Sequence, residues 1–293
     1  MDITKRHHYI PQFFIKGFAG EDGKLAVFNK EIGELDKLRK SPKQIFFEWN
    51  RNTFNINGED TDFVEKIYQF GESKFSETYK KIIKSQDATE LLPYDLLHLM
   101  YFIAGIHWRV PNQDTNFLNY MKQVTPENSN FKITNKDTGE NVTLELFDKI
   151  INEPVFIEAS KMIRAMENFI GVKQKETLKD WKLYYVPPNN PQLNLLSDNP
   201  VIIRQNDNSN ILNSELIFPL SKGKTIYHTN GKILNEISAH NRLKVDILAF
   251  LQSDKMVCGP DSKYLEDISK VAKKYDSKSG IEHLKEKIFE VFE

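Results

Sequence analysis

Two long helical patterns in this sequence stand between two groups of strand patterns. Apolar residues recur at helical spacing over residues 62–84 and again over residues 93–109. Residues 24–30 and 43–49 have the composition of strands, and strand patterns return after Trp181. Strands that come in groups, rather than alternating one by one with helices, predict an α+β fold.

The remaining patterns extend this prediction to the end of the chain. Helical spacing covers residues 144–170, 233–252, 261–275 and 281–292, and a short strand pattern covers residues 255–259. We therefore expect helices flanking a mostly antiparallel sheet, with the strands of the second group forming a meander.

Nothing in the sequence divides the chain into two domains. It contains no internal repeat, no Gly/Ser linker and no low-complexity tract, so we predict a single α+β domain over residues 1–293. Residues 112–140 are polar and contain Pro126 and Gly139. This stretch resembles an insertion and indicates a helix followed by a loop or a small hairpin.

The overall charge argues against a general attraction to nucleic acid or anionic lipid. Forty Lys and Arg residues face 41 Asp and Glu residues, and the formal net charge is -1. The longest apolar run, residues 96–106, is about half of the roughly twenty residues that a bilayer span needs. Cys258 is the single cysteine, and the N-terminus lacks an apolar signal region. We therefore expect a cytoplasmic protein with no membrane partner.

Two adjacent histidines, His7 and His8, form the first candidate site. They follow Lys5 and Arg6 in the stretch KRHHYIPQFFIKGF, and a short helix is expected to begin at Pro11. Helix N-termini favour anions, so this cluster fits a phosphate or a carboxylate better than a bare metal ion. The alternative is structural: one imidazole packs against the helix and the other is solvated.

The end of the helix over residues 93–109 is the second candidate site. Gly105 lies one turn before Arg109 on the same face, which leaves space where a ligand or another backbone can approach. The Arg109 guanidinium could then bind a phosphate or a carboxylate through two hydrogen bonds. The alternative is that Arg109 only complements the last carbonyl groups and the helix dipole.

Asp198 is the third candidate, because it lies where an apolar strand pattern breaks in LLSDNPVII. A sheet would hold its carboxylate rigidly, which suits a general base or a ligand for a divalent ion such as Mg²⁺ or Mn²⁺. The alternative is an Asx-turn, since Asp and Asn before proline are common turn residues. The sequence has no P-loop, Gly-x-Gly-x-x-Gly, His-Glu-x-x-His or Cys-x-x-Cys pair, which disfavours P-loop, Rossmann, zincin and zinc-finger chemistry.

Five motifs follow one another along the chain. They are Arg-His-His-x-x-Pro-x-Phe at 6–13, Arg-x-Pro at 109–111, Ser-Asp-x-Pro-Val at 197–201, Phe-Pro-Leu-Ser at 218–221, and a late helix that contains Asn241. Together they resemble the DUF4238 family of bacterial proteins of unknown function. The resemblance spans most of the chain and departs from the family pattern in the polar stretch at residues 112–140. It implies a single family domain and brings no established activity.

The resemblance also implies that the polar residues of these motifs share one site. In that site His7 or His8 would act as general acid or base, and Asp198 would orient the histidine or bind the divalent ion. The expected substrate-binding residues are Arg6, Arg109 and Asn241.

The reaction that this site suggests is phosphodiester cleavage of nucleic acid or a nucleotide, as by a nuclease. Families of this kind are often found among mobile elements and phage-defence islands, which favours such a target. The alternative is a non-catalytic module of such a system that binds a ligand, another protein or a second copy of itself. Two-metal nucleases need several carboxylates close together, and only Asp198 stands out here, so this alternative stays open.

Overall fold

A computed structural model of the chain describes residues 3–86, 90–167, 178–186, 193–204 and 210–293. The helices of these residues are Gln12–Lys16 (α1), Phe63–Lys84 (α2), Pro93–Arg109 (α3), Asp114–Met121 (α4), Leu144–Ile151 (α5), Pro154–Glu167 (α6), Ala239–Leu251 (α7), Ser262–Ala272 (α8) and Lys278–Phe289 (α9). The strands are Arg6–His8 (β1), Ala26–Asn29 (β2), Glu34–Leu35 (β3), Phe47–Trp49 (β4), Phe54–Ile56 (β5), Glu59–Thr61 (β6), Trp181–Tyr185 (β7), Leu196–Ser197 (β8), Ile202–Ile203 (β9), Leu216–Ser221 (β10), Lys224–His228 (β11) and Met256–Gly259 (β12).

The described strands pair antiparallel in four sheets. One four-stranded sheet has the order β7-β11-β10-β9 and another has the order β3-β2-β12-β8, while β1-β4 and β5-β6 are two-stranded ribbons. In the β5-β6 turn, Asn57 and Gly58 adopt φ values of 54° and 88°, the left-handed backbone that an Asn-Gly hairpin requires. The predicted α+β fold with helices flanking mostly antiparallel sheets is confirmed.

Alternate residues of the strands point into two hydrophobic cores. In β10, Leu216 and Phe218 enter the first core and Ile217 enters the second. In β12, Cys258 enters the first core and Val257 enters the second. Helices α1 to α6 contribute to the first core, and α7 to α9 contribute to the second. The two four-stranded sheets therefore form a middle layer between two layers of helices.

Helices α2 and α3 pack side by side in the first layer. Helix α3 has Pro93 in its first turn and ends at Arg109, because the backbone becomes extended immediately before Pro111. The rings of Phe75 in α2 and Phe102 in α3 stack with their centroids 3.9 Å apart. The bounds predicted for this helix, residues 93–109, are confirmed.

The apolar run at residues 96–106 lies inside α3, where Leu99, Ile103 and Ala104 are fully buried. It is therefore a core segment of the helical layer. Within the described ranges of the chain, no helix is long and apolar enough to cross a membrane.

Two helices differ from the sequence prediction. The single helix expected over residues 144–170 is two helices, because Pro154 cannot continue α5 and instead begins α6. Residues 168–170 of that prediction lie outside the described part of the chain. The helix expected over residues 233–252 begins only at Ala239, where the Ser238 hydroxyl accepts the N–H of Asn241 as a cap.

The strand β8 also differs from the prediction. It was expected in the meander of the later strands, but Leu196 pairs with Cys258 and Ser197 pairs with Val257 of β12. The pairing partner lies about sixty residues further along the chain, so local spacing could not identify it. Residues 112–140 agree with the prediction of a helix followed by a small hairpin: α4 is followed by a bridge between Thr134 and Asn141.

Candidate functional site

The histidine pair lies on a strand and not at a helix end. Strand β1 pairs with β4, His7 opposite Glu48 and His8 opposite Phe47, so the two imidazoles point to opposite faces. His7 is fully buried and both of its ring nitrogens are used. Its Nδ1 accepts the backbone N–H of Asn52 at 2.8 Å, and its Nε2–H donates to the carbonyl oxygen of Thr4 at 2.6 Å. These bonds tie the N-terminus to the loop that follows β4.

His8 has a freer ring than His7. Its centroid lies 5.6 Å from the ring of Phe47, and its Nδ1 is 3.5 Å from Nε2 of Gln12. Its Nε2 is buried and has no hydrogen-bond partner among the described residues. Burial and the positive charge of Arg109 lower the pKa of His8 from 6.5 to about 4. The imidazole is therefore neutral at pH 7, although a hydrogen bond with the Lys43 backbone partly offsets the lowering of its pKa.

Arg109 is buried between two helices and two carboxylates. Its Nη1 donates to Oε1 of Glu72, and its Nη2 lies 3.6 Å from Oε2 of Glu65. Its guanidinium carbon lies 4.0 Å from the centre of the Tyr68 ring. The Nε and Nη2 atoms have no hydrogen-bond partner within the part of the chain that the structure describes. Arg109 therefore has a paired charge but two unsatisfied donors.

A chain of contacts links the first two predicted sites. The backbone N–H of Asn52 bonds His7, and the Nδ2 group of Asn52 donates to Oε2 of Glu65 at 2.8 Å. Glu65 in turn lies beside Arg109. These contacts connect His7 to Arg109, and His8 is close enough for the Arg109 charge to lower its pKa. A shared catalytic role for the three residues stays a prediction. The residues that connect them, Asn52 and Glu65, were not singled out from the sequence.

Arg109 lines a cleft between α2, α3 and α6. The cleft is narrow: its cavity volume is about 50 Å³, within about 500 Å³ of empty space that includes open solvent. Its walls are mostly apolar and aromatic, with three charged side chains among them. The apolar wall comes from Pro11, Ile67, Tyr68, Phe75, Tyr101, Phe102, Ile106 and Met162, and the charged residues are Glu72, Arg109 and Lys161.

Two glycines in helix interiors face this cleft. A Cβ atom built on Gly105 of α3 would meet nothing within 4 Å, and one built on Gly71 of α2 would meet only Cε1 of Tyr101, at 3.9 Å. The space predicted beside Gly105 is therefore present. Packing against neighbouring side chains does not require either glycine.

The charged groups around the cleft are paired in a network. Lys161 donates to Oδ1 of Asp114 at 2.7 Å and to Oε2 of Glu158 at 2.6 Å. Arg51 shares Asp114, also at 2.7 Å. Burial raises the pKa of Glu72, and the neighbouring Arg109 only partly offsets this. The charges of these cations are thus balanced by carboxylates before any ligand binds, and a free anion has to compete with those carboxylates.

Arg6 lies on the outer face of the β1-β4 ribbon. Its guanidinium carbon is 4.4 Å from the centre of the Phe47 ring and 4.9 Å from that of Trp49. Its Nη1 donates to the carbonyl oxygen of Lys43 at 3.2 Å. Arg6 does not line the cleft. Its predicted role in substrate binding stays a prediction.

Asp198 is buried and bound to backbone N–H groups. Its Oδ1 accepts from Asp254 at 3.0 Å, and its Oδ2 accepts from Lys255 at 2.6 Å and from Met256 at 3.0 Å. Burial raises its pKa, and these three amides partly offset the rise. No group of three or more His, Cys, Asp or Glu side chains within the described ranges could hold a metal ion. The surroundings of Asp198 therefore do not fit the predicted metal site, because its oxygens already serve the loop before β12.

Asn241 lies in a different layer from Arg109. It belongs to the first turn of α7, where its backbone N–H donates to the Ser238 hydroxyl at 3.2 Å. Helix α7 packs into the second core, whereas the walls of the cleft belong to the first. The structure thus does not place Asn241 in the same pocket as Arg109, and the single shared site expected from the family resemblance is divided.

Glu65, Glu72 and Gly71 are the site residues that sequence reasoning missed. All three lie on α2, and Glu65, Tyr68 and Glu72 follow one another at spacings of three and four. A pair of acids seven residues apart on the aromatic face of an amphipathic helix was the available signal. Both acids pair with Arg109 at the end of α3.

The fold and the site define an α+β protein with a narrow, mostly apolar cleft in one helical layer. The chain belongs to the DUF4238 family, which is described as proteins of unknown function, and the family model matches residues 6–258. No curated protein and no solved structure matches the chain.

Proposed function

We propose that this protein is a ligand-binding module whose cleft between α2, α3 and α6 takes a small flat molecule. One observation carries the proposal: Arg109 lines the cleft and is buried, and its Nε and Nη2 have no hydrogen-bond partner among the described residues, although Nη2 is ion-paired with Glu65 at 3.6 Å. An unsatisfied buried donor costs on the order of 1–3 kcal/mol, and more when it is charged. A hydrogen-bond acceptor on a ligand would remove that cost.

The two glycines of the cleft support the same proposal. Glycine in a helix interior is less favourable than alanine by about 1 kcal/mol. Neither Gly71 nor Gly105 is required by neighbouring side chains, since both have room for a methyl group. A molecule that occupies this space accounts for the absence of side chains there.

The walls of the cleft set the shape of that molecule. Tyr68, Phe75, Tyr101 and Phe102 supply aromatic surface in the same cleft as the polar pair formed by Arg109 and Glu72. Sites for small molecules commonly combine apolar walls with a few well-placed polar groups. A ring or fused-ring ligand would stack on these aromatic side chains and reach Arg109 with one edge.

Binding is tested with guanosine, adenosine, benzoate and benzamidine as flat probes, measured by the thermal unfolding midpoint. At least one probe should raise the midpoint of the wild type, because a ligand that binds only the folded state stabilises it. Gly105→Leu places a side chain in the cleft and should abolish the shift. Ser73→Leu adds the same side chain on the exposed face of α2 and should leave the shift unchanged. The proposal is contradicted when no probe raises the unfolding midpoint of the wild type. It is also contradicted when the probes raise the midpoint of Gly105→Leu by the same amount.

A second candidate function is phosphodiester cleavage, the reaction predicted from the sequence. The observation that favours it is His8, a buried imidazole whose pKa is lowered by burial and by the neighbouring Arg109 charge. A neutral imidazole can accept a proton from an attacking water or hydroxyl, although a pKa of about 4 makes His8 a weak base. His7 is less suited, because both of its ring nitrogens are already bonded.

The cleavage hypothesis is tested with labelled single-stranded and double-stranded DNA and RNA, in magnesium, in manganese and in chelator. A His8-dependent reaction should disappear in His8→Ala while the variant stays folded by circular dichroism. Activity that survives in His8→Ala, or no activity on any substrate, would count against it. Cleavage that needs a metal would also be inconsistent with the surroundings of Asp198, where three backbone amides occupy the carboxylate.

We further infer that the protein acts in the cytoplasm of a bacterial cell and contributes to phage defence, alone or with a protein partner. Cys258 supports a reducing compartment, since it is a free and buried thiol. The prediction is tested by comparing phage plating on cells that produce the wild type with plating on cells that produce Gly105→Leu. Equal plating on both and on cells without the protein would contradict it.

A further inference from the structure

We propose that the cleft prefers an uncharged planar heterocycle that presents a hydrogen-bond donor next to an acceptor, as guanine does, over an aromatic carboxylate or amidine. This inference rests on the proposed binding function and names the chemistry of the ligand. It is carried by the arrangement of Glu65, Glu72 and Arg109.

The charges around Arg109 exclude a charged ligand group. One cation lies between the carboxylates of Glu65 and Glu72, and all three side chains are mostly buried. A ligand carboxylate or phosphate would add a third negative group at this point, where the low dielectric of the interior makes repulsion strong. A ligand cation would have to enter beside the Arg109 guanidinium. A neutral group meets neither penalty.

The hydrogen-bonding groups of the cleft form a donor and acceptor pair. Glu72 uses Oε1 for Nη1 of Arg109, which leaves Oε2 to accept from a ligand N–H group. Arg109 offers Nε and Nη2, the edge of the guanidinium that can donate two parallel bonds. A ligand therefore needs an acceptor for Arg109 and a donor for Glu72 on one edge. Guanine carries this combination in its carbonyl oxygen and its ring and exocyclic N–H groups.

The shape of the cleft fits this edge-on recognition. The stacked rings of Phe75 and Phe102 and the ring of Tyr101 give flat walls, and Gly71 and Gly105 leave room beside them. Because Phe75 and Phe102 stack on each other, a fused-ring base cannot lie between them and would pack against the side of this pair that lines the cleft. Its polar edge would then face the acid and the arginine.

The inference is tested by titrating wild-type protein with guanosine, benzoate and benzamidine and following the backbone amides in ¹H–¹⁵N spectra. Guanosine should bind at least about tenfold more tightly than either charged probe, a difference of one factor of ten per 1.4 kcal/mol. Glu72→Gln should weaken the binding of guanosine and strengthen the binding of benzoate, because it removes one of the two negative charges beside Arg109. If Glu72 had only a structural role, Glu72→Gln would weaken the binding of guanosine and of benzoate alike.

Two results would overturn the inference and are distinguishable from failure of the proposed function. In the first result, benzoate or benzamidine binds more tightly than guanosine and the spectral shifts are lost in Gly105→Leu. This result would confirm the cleft as a ligand site but reject the preference for a neutral heterocycle. No shift at Gly71 or Gly105 with any probe would reject the ligand site itself. Should Glu72→Gln fail to fold, Arg109→Lys provides the second variant: it keeps the charge, loses the two-donor edge, and should lower guanosine affinity about tenfold.

Discussion

The guanidinium of Arg109 lies over the ring of Tyr68, with its central carbon 4.0 Å from the ring centre. The Tyr68 hydroxyl donates to Oε1 of Glu158 at 3.2 Å, and Glu158 also accepts from Lys161. Tyr68 therefore holds Arg109 on one side and joins the charge network of α6 on the other. The position of Arg109, at the end of α3, and the charges around it therefore depend on side chains of α2 and α6.

The Tyr68 ring and its hydroxyl should make separable contributions to stability. We expect Tyr68→Phe to lower the free energy of unfolding by about 1 kcal/mol, because it removes one hydrogen bond and keeps the ring. Tyr68→Leu should lose about 2 kcal/mol more, because a buried cation–π contact is lost as well. Urea unfolding of the two variants measures both steps. An equal loss of unfolding free energy in Tyr68→Phe and Tyr68→Leu would show that the ring contributes nothing to holding Arg109.

Gly105→Ala should stabilise the protein. The new methyl group meets open space, and alanine is favoured over glycine in a helix interior by about 1 kcal/mol. Gly17→Ala is the matched control, since its Cβ would lie 2.1 Å from the Tyr79 hydroxyl oxygen and should destabilise by about 1–3 kcal/mol. Urea unfolding distinguishes the two. A loss of stability in Gly105→Ala would mean that the fold itself needs this glycine.

Asp198→Ala should unfold the loop before β12. The change removes an acceptor for three backbone N–H groups, and hydrogen bonds to a charged group contribute about 1.5–3 kcal/mol each when buried. We expect a loss of at least about 3 kcal/mol in urea unfolding, with faster hydrogen exchange at Lys255 and Met256. Wild-type stability in this variant would contradict the structural role and return Asp198 to the list of catalytic candidates.

His107 should make the fold sensitive to acid. It is fully buried, its ring nitrogens have no partner among the described residues, and burial lowers its pKa from 6.5 to about 4. The unfolded chain therefore binds the proton first, and stability is lost as the pH falls from about 6.5 towards 4, by about 3 kcal/mol in total. His8 acts in the same direction.

The contribution of His107 is isolated by comparison with His107→Leu. Urea unfolding from pH 7.5 down to pH 4.5 should show a shallower loss of stability in the variant, because the leucine cannot take up a proton. Identical pH profiles would show that His107 is not held neutral in the folded protein.

The sequence predicted those parts of the site that depend on local rules. The ends of α3 followed from two prolines, and the space beside Gly105 followed from the missing side chain one turn before Arg109. Both are properties of a single helix, so neither required knowledge of its neighbours.

The parts that the sequence left open depend on which segments meet. Asp198 was assigned a turn or a catalytic role with equal weight, because the amides that it binds lie 56 to 58 residues away. Glu65 and Glu72 resemble ordinary polar residues of an amphipathic helix until α3 brings Arg109 against them. Asn241 could be separated from the cleft only once α7 was seen in the second core.

The most direct test of the ligand site is a ¹H–¹⁵N spectrum of the wild-type protein recorded during a guanosine titration, with Gly105→Leu measured in parallel. We predict saturable shifts of the Gly71 and Gly105 amides in the wild type, together with the side-chain Nε–H signal of Arg109, and none at Gly71 or Arg109 in the variant. Unchanged signals at all three positions in the wild type, with guanosine, adenosine, benzoate and benzamidine alike, would show that this cleft is not a site for flat ligands.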